Sequence, residues 1–538
     1  MTHFSPSPLV LHQLTCQFAN GETLFGPLNL SFDRRHCALV GRNGVGKSRL
    51  LRLLANDDAP SAGHVETNGT IVSVAQHNHN PIDVTLAAWL GYDQIVDALA
   101  RVQRGEMQVG DVELLEGNWD RLARLNAAFV AAGLPIFDLQ RSVDTLSGGE
   151  RMCAALCAAF ISDADFLLLD EPSNHLDAQG RKWLYQQLDA WRGGLLVASH
   201  DRQLLMRMQR VVEMTSGGLR SYSGNYQDYC QQREREQQAA HNALKHATRE
   251  RKSARARLIK EHDISQRRSA KTLRGVDERN IASFERVAYK SAAKERIGTF
   301  RKQHQEQKQS HDRAVYEARQ QVEDNPPILF TLPESTVSTG KQVLMLDQVK
   351  LPFVELPPLN WRLVGPARVA LGGPNGCGKS TLLKVIIGQL APLAGRCQLS
   401  VSVAYLDQNL DRYDLSRSVM DYLMLEDSPL TAGELRTRLA QLQLGADRLH
   451  LPLGMLSGGE RLKAALACAL WRRELAQLLV LDEPTNHVDL VSLQAIEAAL
   501  KAYSGALLVV SHDEAFLQAL GLTHRLLCGE SGWQCLML

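Results

Sequence analysis

The sequence predicts a duplicated α/β chain: two strand-and-helix domains, each built around a glycine-rich phosphate loop, joined by a long α-helical hairpin. Three observations carry that prediction. One loop pattern follows an apolar strand in each half of the 538 residues. Further short motifs recur behind both copies at matching spacings. Between the copies, from Tyr222 to about Asp324, runs a polar, helix-prone segment with no proline before Pro326-Pro327. A chain of this length exceeds what one core holds, and two to four domains is the default expectation.

The formal net charge of +1 hides a segregation. Residues 231–320 hold 23 Lys+Arg against 12 Asp+Glu, which leaves 37 against 47 elsewhere. A basic middle between acidic flanks fits either a polyanionic partner or a solvated helical linker. No apolar run approaches the roughly 18–20 residues of a membrane span. Met1–Val10 lacks the basic and apolar regions of a secretory signal, so a cytoplasmic protein is expected. The ten cysteines form no C-x-x-C pair, which fits reduced, mostly buried thiols.

In chain order, Leu9–Ser31 alternates apolar pairs with Asn20-Gly21 and Gly26-Pro27, reading as short strands and turns. The buried-strand run His36–Val40 then stops at Gly41-Arg42-Asn43-Gly44-Val45-Gly46-Lys47-Ser48, and a helical run begins at Arg49. This is G-x-x-x-x-G-K-[ST] in its strand-to-helix context. Glycines there let N–H groups turn inward on phosphate, the lysine reaches the β/γ oxygens, and the hydroxyl can hold Mg²⁺. The pattern returns as Gly373-Pro374-Asn375-Gly376-Cys377-Gly378-Lys379-Ser380-Thr381, after Arg368–Leu371.

A duplication predicts equal spacings. Lys47 to Gln76 and Lys379 to Gln408 are both 29 residues, as are Glu171 to His200 and Glu483 to His512. Leu146-Ser147-Gly148-Gly149-Glu150-Arg151 is matched by Leu456-Ser457-Gly458-Gly459-Glu460-Arg461. Phe166–Pro172, an apolar strand ending Asp170-Glu171-Pro172, is matched by Leu478–Pro484 with Asp482-Glu483.

With L-S-G-G-E present twice, the halves resemble ATP-binding cassette domains, and nearly the whole chain resembles the ABC-F proteins, tandem cassettes without a membrane domain. The fold expected is α/β, two P-loop ATP-binding cassette domains joined by a long α-helical hairpin linker. Cassette 1 is placed at 1–221, the linker at 222–327 and cassette 2 at 328–538.

Phosphoryl transfer to water needs charge neutralisation and a positioned water. Lys47 and Lys379 with Mg²⁺ supply the first. Asp170 or Asp482 brings a carboxylate to the metal, and the adjacent Glu171 or Glu483 polarises the attacking water. The resemblance implies that Gln76 and Gln408 sense Mg²⁺ and water, with Ser48, Asp170, Ser380 and Asp482 completing the metal sites. It also implies that His200 and His512 contact the γ-phosphate. The Ser-Gly-Gly segments open helices whose N–H groups favour phosphate. In cassette ATPases that phosphate belongs to the nucleotide on the opposite domain. Ser457-Gly458-Gly459 are thus expected to complete the Lys47 site, and Ser147-Gly148-Gly149 the Lys379 site. Asn174–Asp177 and Asn486–Asp489 match the loops that communicate across that interface. Phe18 is the candidate for adenine stacking in cassette 1; in cassette 2, Phe353 competes with plain core packing. Cys377 is expected to make its P-loop sensitive to bulky thiol reagents.

The halves differ in two places. Gln76 to Ser147 spans 71 residues and Gln408 to Ser457 only 49, which puts an excess of 22 at about 99–118. Either the inserted arm of ABC-F proteins or a longer surface loop accounts for it. Tyr222-Ser223-Gly224-Asn225-Tyr226-Gln227-Asp228-Tyr229 resembles the entry to the ABC-F linker. Past it, Ala240, Leu244, Ala247, Ala254 and Leu258 recur at heptad-like spacing interrupted by Arg251, the pattern of two long helices meeting along a thin seam. Gly275 is the expected tip, with Arg267, Arg268, Lys271, Arg274 and Arg279 around it.

The resemblance implies an ATPase that binds the ribosome, its rRNA and tRNA, in the ATP-closed form near the tRNA exit site, modulating or protecting translation, and that works as a monomer closing on itself. A tandem cassette ATPase acting on DNA and a transporter's ATP-binding subunit are the alternatives. A non-enzymatic scaffold conflicts with the presence of both Glu171 and Glu483.

Overall fold

The computed structural model describes residues 9–18, 20–75, 83–106, 108–116, 118–215, 217–277, 302, 305–320, 335–407, 410, 413–425, 428–486, 488–529 and 531–538. The chain forms two compact units, Met1–Tyr226 with Pro327–Leu538, and Gln227–Pro326.

The first unit holds both cassettes. In cassette 1 a six-stranded sheet runs in the order Ile71–Val74, Phe166–Asp170, Gly194–Ala198, His36–Val40, Arg210–Thr215, Gly218–Ser223. All neighbours pair in parallel except the last two strands. Strands buried on both faces need no polar alternation, which is why Phe166–Asp170 and Gly194–Ala198 are buried throughout. A smaller antiparallel sheet orders Thr23–Phe32, Leu9–Gln17 and Ala62–Thr67. Cassette 2 repeats both: Val403–Leu406, Leu478–Asp482, Ala506–Val510, Arg368–Gly372, His524–Gly529, Gly532–Met537, and Leu359–Val364, Gln342–Lys350, Ala394–Leu399.

This topology sets the chemistry. Three adjacent parallel strands end on the same edge and lead into the P-loop, the Asp-Glu pair and the histidine, so residues far apart in sequence meet at one crevice. The last strand, Gly218–Ser223, takes in Tyr222, which is buried and donates through its hydroxyl to Glu213 Oε2 at 3.3 Å. A division at residue 221 therefore cuts a paired strand; the long helix starts only at Tyr226.

The extra chain of cassette 1 contains two helices, Asp93–Arg104 and Val109–Leu115. The first starts six residues before the 99–118 window, because a length difference locates added residues without showing where the local helix begins. Arg101 clasps Asp111 across the pair, Nε to Oδ2 at 3.0 Å and Nη2 to Oδ1 at 2.5 Å. Asp111 Oδ2 also accepts from the Gln108 N–H at 2.9 Å, closing a capping box.

In the second unit, Tyr226–Asp277 is one helix of 52 residues, about 78 Å at 1.5 Å per residue. A second helical stretch covers 305–320, and Arg251 Nη1 lies 3.6 Å from Asp312 Oδ1, joining the two. Ala240, Leu244, Ala247, Ala254 and Leu258 are partly buried, while most of their neighbours are exposed. Arg251 is exposed and spends its charge on Asp312 instead of interrupting the seam. Gly275 lies in this helix two residues before its end at Asp277, and residues 278–301 lie outside the described residues. Arg267, Arg268 and Lys271 are exposed on this helix, and Arg279 and Pro326-Pro327 lie outside the described residues. No helix among the described residues is long and apolar enough to cross a membrane.

Candidate active sites

Each P-loop delivers its lysine to the N-terminus of a short helix, Lys47–Leu54 or Lys379–Ile386. The turn needs left-handed backbone at Gly46 (φ 106°) and Gly378 (φ 93°). A Cβ on Gly46 would also stand 2.8 Å from the Phe25 ring, so only glycine fits. Lys47 Nζ donates to the carbonyls of Gly41 (2.7 Å) and Arg42 (3.2 Å), and Lys379 Nζ to those of Gly373 and Pro374, both at 2.9 Å. Both lysines are buried.

Opposite each lysine stands the carboxylate pair. Asp170 accepts from the Ser48 hydroxyl and Asp482 from that of Ser380; burial raises both carboxyls, against the pull of those bonds and of the nearby lysine. Glu171 and Glu483 both sit at φ 49°, a left-handed conformation that costs a non-glycine residue about 1–3 kcal/mol. The strain is fixed in place by the backbone: Glu171 N–H donates to Ala198 O at 2.8 Å and Glu483 N–H to Val510 O at 2.9 Å. It turns each glutamate off its strand and toward its histidine, with His200 Nε2 3.4 Å from Glu171 Oε1 and His512 Nε2 3.4 Å from Glu483 Oε1. His200 Nε2 also faces Asn43 Oδ1 at 3.1 Å. Burial raises the Glu171 carboxyl, opposed mainly by Lys47, and pushes Glu483 up to about 7. A buried carboxyl poised near neutrality suits a group that takes a proton from water. His512 is pushed down to about 4, by burial first and then by Lys379 and Arg181, so it is neutral at pH 7.

The two crevices are composite. One is lined by Phe18, Asn43, Gly44, Gly46, Lys47, Ser48, Asp170, Glu171 and His200 from cassette 1, and by Ser457 and Gly458 from cassette 2. The other joins Asn375, Gly376, Gly378, Lys379, Ser380, Thr381, Asp482, Glu483 and His512 to Ser147, Gly148 and Gly149. Each serine caps its helix in a capping box, Ser147 Oγ accepting from Glu150 N–H at 3.2 Å and Ser457 Oγ from Glu460 N–H at 3.4 Å. Gly149 packs closely on its own cassette, where a Cβ would meet the His175 carbonyl at 2.6 Å. Gly459 lies behind Gly458, and a Cβ on it would meet Ser492 Oγ at 3.1 Å and Asp489 Oδ2 at 3.2 Å. Asn375 bridges the interface directly, its Nδ2 donating to His175 O at 3.3 Å and its N–H to Asp177 Oδ2 at 3.4 Å. Arg42 does so at the other site, donating to Gln443 Oε1 at 3.4 Å.

Sequence reasoning left the role of Phe353 open and left out Arg181. Phe353 is 90% exposed and lines the Lys379 crevice, so it is not core packing. Its backbone is left-handed, with φ 64°. Arg181 lines a crevice formed with the opposite cassette, which spacing within one half does not reveal, while Asn486, expected at the interface from its loop, lines both crevices. Gln76, Gln408 and His487 lie outside the described residues.

Residues 27–174 and 356–486 each match the sequence family described as ABC transporter. The ATP-binding protein YdiF of Bacillus subtilis is 30% identical over 95% of this chain and 78% of its own length. ABC transporter F family member 3 of Arabidopsis thaliana is 29% identical over 91% and 68%. This chain belongs to the ABC-F family. The ribosome protection protein VmlR of B. subtilis, 28% identical over 92% of this chain and 82% of its own, is similar along its length as well. Among solved structures, an archaeal ribosome recycling factor, aABCE1, superposes with a TM-score of 0.53 at 18% identity, covering 97% of this chain and 89% of that one, and shares the fold. The ABC-F chain is accordingly an ATPase with two cassettes that bind ATP.

Proposed function

We propose that this protein hydrolyses ATP at both composite sites and uses the closed, ATP-bound form to bind the ribosome in the cytosol, near the tRNA exit site, with hydrolysis permitting release. The observation that supports it most is the 52-residue helix, whose Arg267, Arg268 and Lys271 are exposed in a region of strong positive excess. Basic side chains on a helical hairpin suit the phosphates of a folded RNA, which is recognised by shape more than by base. The similarity to VmlR along most of both chains points the same way.

In this reading Lys47 and Lys379 take the β/γ-phosphate charge, and the opposing Ser457-Gly458-Gly459 and Ser147-Gly148-Gly149 helix starts grip the same nucleotide from the other cassette. Glu171 and Glu483 accept the proton of the attacking water, while the imidazoles of His200 and His512 hold the γ-phosphate end. The pairs Ser48–Asp170 and Ser380–Asp482 fit Mg²⁺, which is commonly held by one or two protein groups plus substrate phosphates; Gln76 and Gln408 are assigned to the same metal and water. When bound, Mg²⁺ neutralises charge on the phosphates. Phe18 and Phe353 stack on adenine.

The test is co-sedimentation of the Glu171→Gln, Glu483→Gln protein with ribosomes. Retention in ATP and loss without it is expected, together with inhibition of translation. Equal sedimentation in both conditions, or preference for branched DNA over ribosomes, would overturn the proposal.

A further inference from the structure

The Lys379 site has a buried cation, Arg181, whose counterpart in the other half is apolar. Helix Ala178–Ala190 is capped by Asp177 and helix Leu490–Ala502 by Asp489. Four residues beyond each cap stand Arg181 and Leu493. Leu493 is a core residue of cassette 2. Arg181 is only 9% exposed, yet it lines the Lys379 crevice together with Glu483 and His512, which belong to the other cassette.

On its own side Arg181 is held by two contacts. Nε donates to Leu176 O at 3.3 Å, and Nη1 lies 3.7 Å from Asp201 Oδ2, an oxygen that already accepts from the Tyr185 hydroxyl at 2.6 Å. Glu483, facing it, has two buried carboxylate oxygens without a well-formed hydrogen bond among the described residues. A guanidinium is always charged, and it is the cation suited to a buried carboxylate.

We propose that Arg181 is a positioning residue acting in trans: built into cassette 1, it orients Glu483 of cassette 2 and makes the Lys379 site the faster of the two. Because the two residues belong to different cassettes, their approach depends on closure, which ties hydrolysis at that site to the closed form. The proposal rests on hydrolysis at both sites and not on the identity of the macromolecular partner.

The experiment is single-turnover ADP formation with protein in excess of ATP. Glu171→Gln reports the Lys379 site and Glu483→Gln the Lys47 site. Adding Arg181→Leu, the side chain the fold accepts at the corresponding position, is expected to slow the first background about tenfold or more and the second less than about twofold, with Tm unchanged. Arg181→Lys, which keeps the charge, is expected to restore part of the rate in the first background. Equal slowing in both backgrounds, or no slowing in the first, overturns the proposal. Absence of ADP in both parent variants would instead remove the two-site hydrolysis on which it stands.

Discussion

At the Lys47 site the P-loop serine is followed by Arg49, which pairs with Asp58 at 2.9 Å; at the Lys379 site Thr381 follows and lines the crevice. Val45 inside the first loop corresponds to Cys377 in the second, whose carbonyl lies 3.6 Å from Cys528 Sγ. In the signature helices Cys153 corresponds to Lys463, which is 3% exposed and is pushed down by burial, opposed by Asp489 and Glu460. Against these differences, Lys, Ser, Asp, Glu and His recur in both crevices, and Glu171 and Glu483 share the same φ. The duplication has kept what phosphate chemistry requires and let the surroundings diverge. Two sites with one reaction centre can then differ in rate, in reagent sensitivity and in response to closure.

The largest expected effect tests the shared part. Glu171→Gln and Glu483→Gln should each reduce hydrolysis at its own site by about 10²–10⁴-fold, the usual scale for a lost general base, and together abolish turnover while ATP still binds. Quantifying ADP per bound ATP in each variant checks this. Full turnover in the double variant would show that the glutamates are not the bases.

The second effect separates the sites. The Cys377 thiol sits against Cys528, so an N-ethylmaleimide adduct should distort the second P-loop and cost the Lys379 site nearly all activity, and ATP added first should protect it. Unchanged activity in protein fully modified at Cys377 would sink the idea. Cys377→Ala serves as the resistant control.

A third, smaller effect compares the stacking residues. Phe18 is 52% exposed and Phe353 90%. An aromatic stack is worth about 0.5–1.5 kcal/mol, so Phe18→Ala and Phe353→Ala should each raise the KM for ATP about two- to tenfold with kcat little changed. A fall in kcat without a change in KM would place these rings outside the adenine site.

How much of this was legible depended on whether the signal was local. Buried parallel strands, the P-loops and the helix starts at Ser147 and Ser457 follow from residues within a few positions of each other. The linker seam was legible too: Ala240, Leu244, Ala247, Ala254 and Leu258 are the partly buried positions because apolar area, however sparse, selects the face that packs. Tyr222 belongs to a strand, although the motif it starts introduces the linker. Arg181 was illegible for a different reason: the groups it shares a crevice with, Glu483 and His512, are supplied by the opposite cassette, and no spacing within one half encodes that approach.

The smallest expected effect concerns the helices that only cassette 1 has. Arg101 and the Gln108 N–H hold the Asp111 carboxyl down at about 2, so its ion pair is fully formed above the ordinary carboxylate range and is lost only as pH falls toward 2. The side chain of Asp111 is covered while that of Arg101 is partly open, and the pair closes a hairpin of two short helices. Helices of 12 and 7 residues are marginal alone, so this clasp matters to the hairpin far more than to the cassette. Asp111→Asn should therefore raise amide hydrogen exchange across 93–115 several-fold at neutral pH, while ATP turnover stays unchanged and Tm moves by less than about 2 °C. If exchange rises across the whole cassette instead, the hairpin is part of its core, and the two halves differ in how they fold as well as in what they carry.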